Sequence, residues 1–583
     1  MTMSERQSLF GLTRSPELLA AFLGRSGLLA TMLGMSAALN VLLLSGSIFM
    51  LLVYDEVLPS RSTPSLVGLV ILLLIAFAFQ AWIEHLRNQI TGNVGELFER
   101  SLSNRVFGLV IDAELRSGGG RDTTQPVRDL DQLRNFLNGT GPMAILDLPW
   151  VLLFLGVLFA FHYLLGLVSL AGAIILVALT TVTDRMTASQ VESATRSGSA
   201  RHAFVEACRR NAEAIRALGM LGRTTHGWHS MSQTYAAANG TVAEKLSAMR
   251  TFSKTFRLLL QSLILACGAW LVINDRASGG VIIASSILSS RALAPIDLAI
   301  GNWRGLISAR QAWNRLAERL AGVPLPMERT ALPPPARDLR VENLAAVAPG
   351  SQYVLFRDVS FGLTAGETLA IVGPSGSGKS SLARTLVGVL QPARGAVRLD
   401  GAAIEQWEPD AIGSLIGYLP QDIELFDGTI SQNIARFDPD AASDDIVKAA
   451  NDAGVHDLIV RLPEGYDTVI GPNGRNLSAG QRQRIALARA LFRDPFLIVL
   501  DEPNSNLDAE GDIALNRAIA VARARGAIVI LVAHRPSALA EIGKLLWVNA
   551  GVVRAFGPKA EILPKLTGAS PQPASPIRAV VDV

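Results

Sequence analysis

Cysteine is nearly absent from this chain of 583 residues, which carries only Cys208 and Cys267. Cys208 falls in a polar helical stretch and Cys267 in an apolar run. A disulfide framework is therefore excluded, and both are expected to be buried as inert small residues. Charge is also scarce, at 18% of residues, and the formal net charge is only +3. That balance carries no sign of a nucleic-acid partner. A cleavable signal peptide is absent too. The first apolar run, about 27–53, is longer than a signal h-region and ends in Tyr54-Asp55-Glu56 rather than at a small-residue cleavage site. It reads as an uncleaved membrane anchor.

What the chain has in excess is apolar sequence. Hydrophobic residues reach 49% and mean hydropathy is +0.33, with the excess concentrated in the first half. The length exceeds one core, so two or three domains are expected. Apolar runs fall at 27–53, 64–83, 142–161, 163–184, 252–273 and 278–298. The first four are near or above the roughly 20 residues needed to cross a bilayer. The last is diluted by Ser285, Ser286, Ser289, Ser290 and Arg291. Soluble core helices would need a very large core, so six membrane helices are predicted.

Arginine placement orients them. The segment between runs two and three carries Arg87, Arg100, Arg105, Arg116, Arg121, Arg128 and Arg134. The one between runs four and five carries nine basic residues from Arg185 to Arg250, while the short connections carry almost none. The basic segments should be cytoplasmic, and both termini with them. These segments read as helical extensions of the membrane helices, their charge a solvated face and orientation signal. Asp147, opening run three with Leu148-Pro149-Trp150, is either the cap of a helix start or a functional intramembrane acid. Arg291 and Asp297, on either side of Pro295, either line a passage or face the cytosolic rim.

The expected organisation is a cytoplasmic segment at 1–26, a membrane domain at 27–320, a stiff Pro-rich linker at 321–338, a soluble α/β domain at 339–566 and a disordered tail at 567–583.

In the soluble half, the apolar strand Leu369–Val372 feeds Gly373-Pro374-Ser375-Gly376-Ser377-Gly378-Lys379-Ser380, and a helix follows. This is the strand–loop–helix setting of a phosphate loop. Its glycines let backbone N–H groups wrap phosphates, and the helix start adds positive potential. Lys379 should reach the β- and γ-phosphates of ATP, Ser380 should ligate Mg²⁺, and Ser381 completes the ATP-binding stretch. A second apolar strand, Phe496–Leu500, ends in Asp501 and Glu502. Asp501 is placed to hold Mg²⁺ and Glu502 to polarise an attacking water.

Between these motifs stands Leu477-Ser478-Ala479-Gly480-Gln481. The order resembles the nucleotide-binding domain of ATP-binding cassette (ABC) proteins, where LSAGQ-type segments are the signature. The resemblance implies further roles. Gln421 resembles the Q-loop glutamine that senses Mg²⁺ and contacts the membrane domain. Ser505-Asn506-Leu507-Asp508 resembles the D-loop, and His534 the switch histidine at the γ-phosphate. Leu477–Gly480 precede the helix Gln481–Phe492, whose start can bind an anion, with the Ser478 hydroxyl beside it. In the family that surface faces phosphates held by the other subunit. One phosphate loop and one signature therefore imply a homodimer with two composite, competent ATP sites. The aromatic on which the family often stacks adenine would fall near Ala348, and Tyr353 is the nearest substitute.

Membrane half before ATPase half resembles exporters. Asp147-Leu148-Pro149-Trp150, Ile283–Leu288 with Arg291–Pro295, Gly417–Asp422 with Glu424–Ile430, and Glu502–Asp508 resemble type I protein-secretion ATPases of the PrtD kind. No long segment and no cysteine precede the first span, so leader-peptide cleavage is not expected. The resemblance implies an inner-membrane exporter of an unprocessed polypeptide with a C-terminal signal. Its partners would be a periplasmic membrane-fusion adaptor and an outer-membrane channel protein. The alternatives are a homodimeric exporter of lipid, drug or peptide acting alone, and a membrane scaffold that binds ATP without turnover. Intact Lys379, Glu502 and His534 argue against the last.

Overall fold

A computed structural model describes residues 15–23, 26–117, 124–323, 329, 331–471, 474, 476–533 and 539–567. The chain divides into two compact units, a first made of residues up to 325 except 115–118, and a second made of those four with residues from 326 onward.

The first unit is helical. Its six long apolar helices are α1 (Ala30–Ser60), α2 (Thr63–Ser117), α3 (Thr140–Phe161), α4 (Tyr163–Arg210), α5 (Leu221–Ile273) and α6 (Gly279–Gly301), followed by α7 (Trp303–Gly322). Each of the six predicted runs corresponds to one of them, the first beginning at residue 27, three residues before α1, and the last at residue 278, one residue before α6. Helices are required here because lipid offers no partner for backbone N–H and C=O groups, so each segment must satisfy its own. α2, α4 and α5, at 55, 48 and 53 residues, rise on the order of 70–80 Å, more than twice a hydrocarbon core of about 30 Å. The predicted helical extensions are thus continuous with the spans. The apolar part of α2 leaves Val67, Ile71, Leu72, Leu74 and Trp82 exposed, as a lipid-facing surface does. Where helices pack, small residues permit close approach. A methyl group on Gly172 of α4 would lie 2.1 Å from Leu260 of α5.

The polar residues of this unit depart from two expectations. Asp147 caps no helix. It ends the segment Thr140–Asp147 and makes no capping hydrogen bond. Its buried carboxylate instead takes the Arg87 guanidinium at 3.1 and 3.2 Å, the Ser36 hydroxyl, and Asn40 Nδ2 at 3.3 Å. A buried carboxylate needs a cation and donors, and helices α1 and α2 supply both. Cys208 and Cys267 are unpaired but only half-buried, because each lies on the partly open side of a long helix. Asp297 pairs with Arg257 at 3.0 Å and accepts from Ser253 at 2.5 Å, whereas Arg291 is exposed. A π-helical turn, Val53–Val57, carries Asp55 onto the start of α6, where it accepts from Gly280 N at 2.8 Å and from Ser278.

The second unit is α/β. Its elements run β1 (Asp338–Val347), β2 (Val354–Thr364), β3 (Thr368–Val372), α8 (Lys379–Leu386), β4 (Arg394–Leu399), β5 (Ala402–Ala403), α9 (Pro409–Leu415), β6 (Ile416–Leu419), α10 (Ile430–Ile434), α11 (Ala479–Leu491), β7 (Leu497–Asp501), α12 (Ala509–Ala524), β8 (Ile528–Val532), β9 (Lys544–Asn549) and β10 (Val552–Pro558). An antiparallel sheet has the order β2-β1-β4-β5. The main sheet has the order β10-β9-β3-β8-β7-β6, parallel except for the β9–β10 pair. The central strands are continuously apolar because both faces are covered. Leu369 and Ile371 of β3 enter one core and Ala370 and Val372 the other, and β7 and β8 alternate in the same way. The carboxyl ends of β3 and β7 lie at one edge of the sheet with β8 between them, where parallel sheets place their ligands.

Candidate functional site

β3 stops at Val372 because the chain must turn sharply under β9. A Cβ at Gly373 would sit 1.9 Å from the Val548 carbonyl. Gly376 and Gly378 take φ of +77° and +92°, and a Cβ at Gly378 would meet the Leu355 carbonyl at 2.7 Å. Along the loop Pro374, Ser375 and Gly376 are exposed, and Ser377 is buried with its hydroxyl unpartnered. Lys379 and Ser380 open α8, so the loop's N–H groups and the helix start converge. The Lys379 ammonium is buried and donates to the carbonyls of Gly373 at 3.0 Å and Pro374 at 2.8 Å. Burial lowers its proton affinity, against the pull of Glu502 and Asp501. Ser381 follows in the same turn.

The last residue of β7, Asp501, comes beside this loop. Its Oδ1 accepts from the Ser380 hydroxyl at 3.1 Å, and its Oδ2 is buried without a partner. Burial pushes the carboxyl above the usual carboxylate range. The bond from Ser380 opposes this, Glu502 adds to it, and Arg384 and Lys379 oppose it. A hydroxyl, a carboxylate and an unpaired buried oxygen fit a Mg²⁺ ion. Among the described residues no three His, Cys, Asp or Glu cluster, so such an ion would complete its shell with phosphate and water. Glu502 follows with φ +50°, its N–H donating to the Val532 carbonyl of β8 at 3.1 Å. That strained turn swings it out of the strand beside Lys379.

Gln421, just past β6, is exposed. Tyr353 is 61% exposed immediately before β2, the strand whose Leu355 carbonyl abuts Gly378. His534 lies outside the described residues.

The signature forms a second group. Helix α11 begins at Ala479, not Gln481, with Ser478 as its N-cap. Ser478 Oγ accepts from Gln481 N at 3.2 Å and Gln481 Oε1 from Ser478 N at 2.8 Å. The Ser-x-x-Gln spacing of this reciprocal cap was legible in the sequence. The hydroxyl proton of Ser478 stays available to an anion. Gly480 is required because a Cβ would press on the Asn506 carbonyl at 3.0 Å. Gln483, missed in the sequence, is buried and stitches α11 to the segment after β7. Its Nε2 donates to the Pro503 carbonyl and its Oε1 accepts from Asn506 N at 3.0 Å. Asp508 caps α12 by accepting from Gly511 N at 2.8 Å and takes Arg484 at 2.6 Å, and these two bonds hold its carboxyl below the usual range. No periodicity in the sequence distinguishes Gln483 or Arg484 from solvent-facing helix residues. The structure thus joins residues 373–381 to Asp501 and Glu502, and residues 478–484 to 502–508. Among the described residues Ser478 and Gly480 make no hydrogen bond to the phosphate loop.

Residues 356–505 match the family model described as ABC transporter, and residues 29–294 the one described as ABC transporter transmembrane region. The chain is similar to the type I secretion system ATP-binding protein PrsD of Rhizobium meliloti (strain 1021), with 50% identity covering 91% of both chains. The toxin RTX-I translocation ATP-binding protein of Actinobacillus pleuropneumoniae is 29% identical over 91% of this chain and 75% of its own length. The leukotoxin translocation ATP-binding protein LktB of Mannheimia haemolytica is 28% identical over 91% and 76%. A bacterial Atm1-family ABC exporter with ATP bound superposes with a TM-score of 0.81 over 94% of this chain and 97% of its own, at 23% identity, which bears on fold alone.

Proposed function

The chain belongs to the ABC transporters, among the type I secretion ATP-binding proteins, and we propose that it drives export of an unprocessed polypeptide carrying a C-terminal signal. It is an ATP-hydrolysing, multi-pass membrane exporter with a membrane domain fused to an ABC ATPase domain. The observation that carries the secretion reading is the 50% identity to PrsD over 91% of both chains.

The roles of individual residues are part of the proposal. Backbone N–H groups of 375–380 and the Lys379 ammonium cradle the β- and γ-phosphates of ATP. Leaving its two loop carbonyls for the phosphates costs Lys379 little, because the charge is better matched there. Ser380 and Asp501 hold Mg²⁺, with Gln421 beside them. When bound, that ion neutralises charge on the phosphates. Glu502 accepts the proton of the attacking water, and His534 orients the γ-phosphate. Tyr353 offers its face to adenine.

Among the described residues Ser478 and Gly480 make no hydrogen bond to their own phosphate loop, and we read the signature as serving a second copy. A homodimer then closes Ser478, Gly480 and Gln481 of one chain, with Asp508 nearby, over Lys379 of the other. The domain limits 27–320 and 339–566, the cytoplasmic placement of both termini, and work with a periplasmic adaptor and an outer-membrane channel complete the reading. Comparison of secreted proteins with and without the intact gene tests it. Loss of one large secreted polypeptide, uncleaved at its N-terminus, is expected. An unchanged secreted set, with altered lipid or drug export instead, would replace this reading by a stand-alone exporter.

A further inference from the structure

The far end of the signature helix α11 meets the two flanks of Gln421 at a joint made by arginines. Arg436 and Phe437 follow α10, and both adopt left-handed backbone, with φ +56° and +59°. Two consecutive non-glycine residues stay in that region only when their surroundings hold them there. The Arg436 side chain does so by spreading over four carbonyls. Its Nε donates to Arg489 O at 3.0 Å and its Nη2 to Ala490 O at 3.3 Å, both on the last turn of α11. Its Nη1 donates to Gly413 O of α9 at 2.6 Å and to Ile416 O of β6 at 3.1 Å. Arg489 reaches the other side of Gln421, donating from Nη1 to Glu424 O at 3.2 Å. Phe437 packs edge-on against Phe426, ring centres 5.6 Å apart.

Backbone packing reinforces the joint. A Cβ at Gly417, the second residue of β6, would lie 2.1 Å from Ala490 O. Gln421 is therefore bracketed by Ile416 and Gly417 before it and by Glu424 and Phe426 after it, all seated on the C-terminal end of α11 or on the 436–437 turn. Every hydrogen bond these two guanidinium groups make, among the described residues, ends on a main-chain carbonyl rather than a carboxylate. Burial lowers the Arg436 guanidinium to about 10, so it stays charged at neutral pH. A half-buried cation held only by carbonyls at a helix C-terminus fixes position, since no carboxylate there is being neutralised.

We propose that Arg436 and Arg489 are positioning residues for ATP hydrolysis, locking the C-terminal end of the signature helix to both flanks of Gln421. A 13-residue helix behaves as a rod of about 20 Å, so Ser478 at its other end and Gln421 arrive at nucleotide as one piece. The proposal rests on the reading above in which Gln421 and the signature face nucleotide.

The test uses the full chain in lipid nanodiscs with ATP as the probe. Arg436→Gln lowers kcat about tenfold or more while the Kd for ATP, set by the phosphate loop, stays within about twofold. Arg436→Lys does not restore turnover, because one ammonium cannot span four carbonyls from three elements. Arg489→Lys, which reaches a single carbonyl, restores most of what Arg489→Gln loses. Parental kcat in Arg436→Gln overturns the proposal, as does full rescue by Arg436→Lys or a matching rise in ATP Kd. Gln421→Ala and Ser478→Ala separate the layers. If they lower turnover and Arg436→Gln does not, the joint is wrong. If they leave turnover at the parental value, the underlying assignment of Gln421 and the signature fails, and the proposal with it. Should Arg436→Gln not fold, the Arg489→Gln and Arg489→Lys pair decides by the same two readouts.

Discussion

The Ser380 hydroxyl donates to one oxygen of Asp501 at 3.1 Å, and the other oxygen of the same carboxylate is buried with no partner. The strand end is therefore unfinished in the protein alone. A carboxylate in that state costs folding free energy that a bound cation returns.

Asp501→Asn follows from that geometry. Burial raises the Asp501 carboxyl, so its favourable contribution to the nucleotide-free fold is complete below the unfolded value of about 3.9 and is lost as pH rises through the higher folded value. The amide removes that loss. We expect Asn to stabilise the nucleotide-free ATPase unit at pH 7–8 by on the order of 1 kcal/mol, a gain that shrinks toward pH 4, and to abolish turnover. Thermal unfolding across pH, with ATPase assays alongside, checks both; destabilisation at pH 8 would count against the burial argument.

Glu502→Gln should keep ATP binding and lower turnover by about 10²–10⁴, the usual worth of a positioned general base. Equilibrium nucleotide binding and single-turnover hydrolysis measure the two separately. Turnover equal to the parent would remove Glu502 from the chemistry.

Two glycines of the phosphate loop should respond differently to alanine. At Gly373 a methyl group meets a carbonyl at 1.9 Å, and the loop must shift. At Gly376 nothing lies within 4 Å, and only the positive φ resists, at a cost of about 1 kcal/mol. ATP affinity should collapse in Gly373→Ala and fall by less than about tenfold in Gly376→Ala, as read by isothermal titration.

Arg87→Met or Asp147→Leu alone leaves a buried charge unpaired and should destabilise the membrane unit by about 3–5 kcal/mol. The double variant should recover most of that. Thermal unfolding in detergent gives the comparison, and additive losses would show that the two residues do not act as a pair.

Much of this protein was legible along the chain. Runs of twenty apolar residues can only be membrane helices or an implausibly large core, and the six runs became six helices. The phosphate loop was legible because its chemistry is local: strand, glycines, lysine and hydroxyl are contiguous. His534, expected from the resemblance to be the switch histidine, lies outside the described residues. Asp147 stayed open between a helix cap and a functional acid because a local pattern, acid before Leu-Pro-Trp, imitates a helix start. The residue that satisfies it, Arg87, is 60 positions away.

Sequence order alone thus determined the class of chemistry and the number of long apolar helices, since each depends on residues adjacent in the chain. Tertiary structure decided which side chains hold the machinery in place. Gln483, Arg436 and Arg489 carry no motif, and the partners of the two arginines are main-chain carbonyls contributed by distant elements. A carbonyl is present at every residue, so no pattern of side chains could announce which ones these arginines would find.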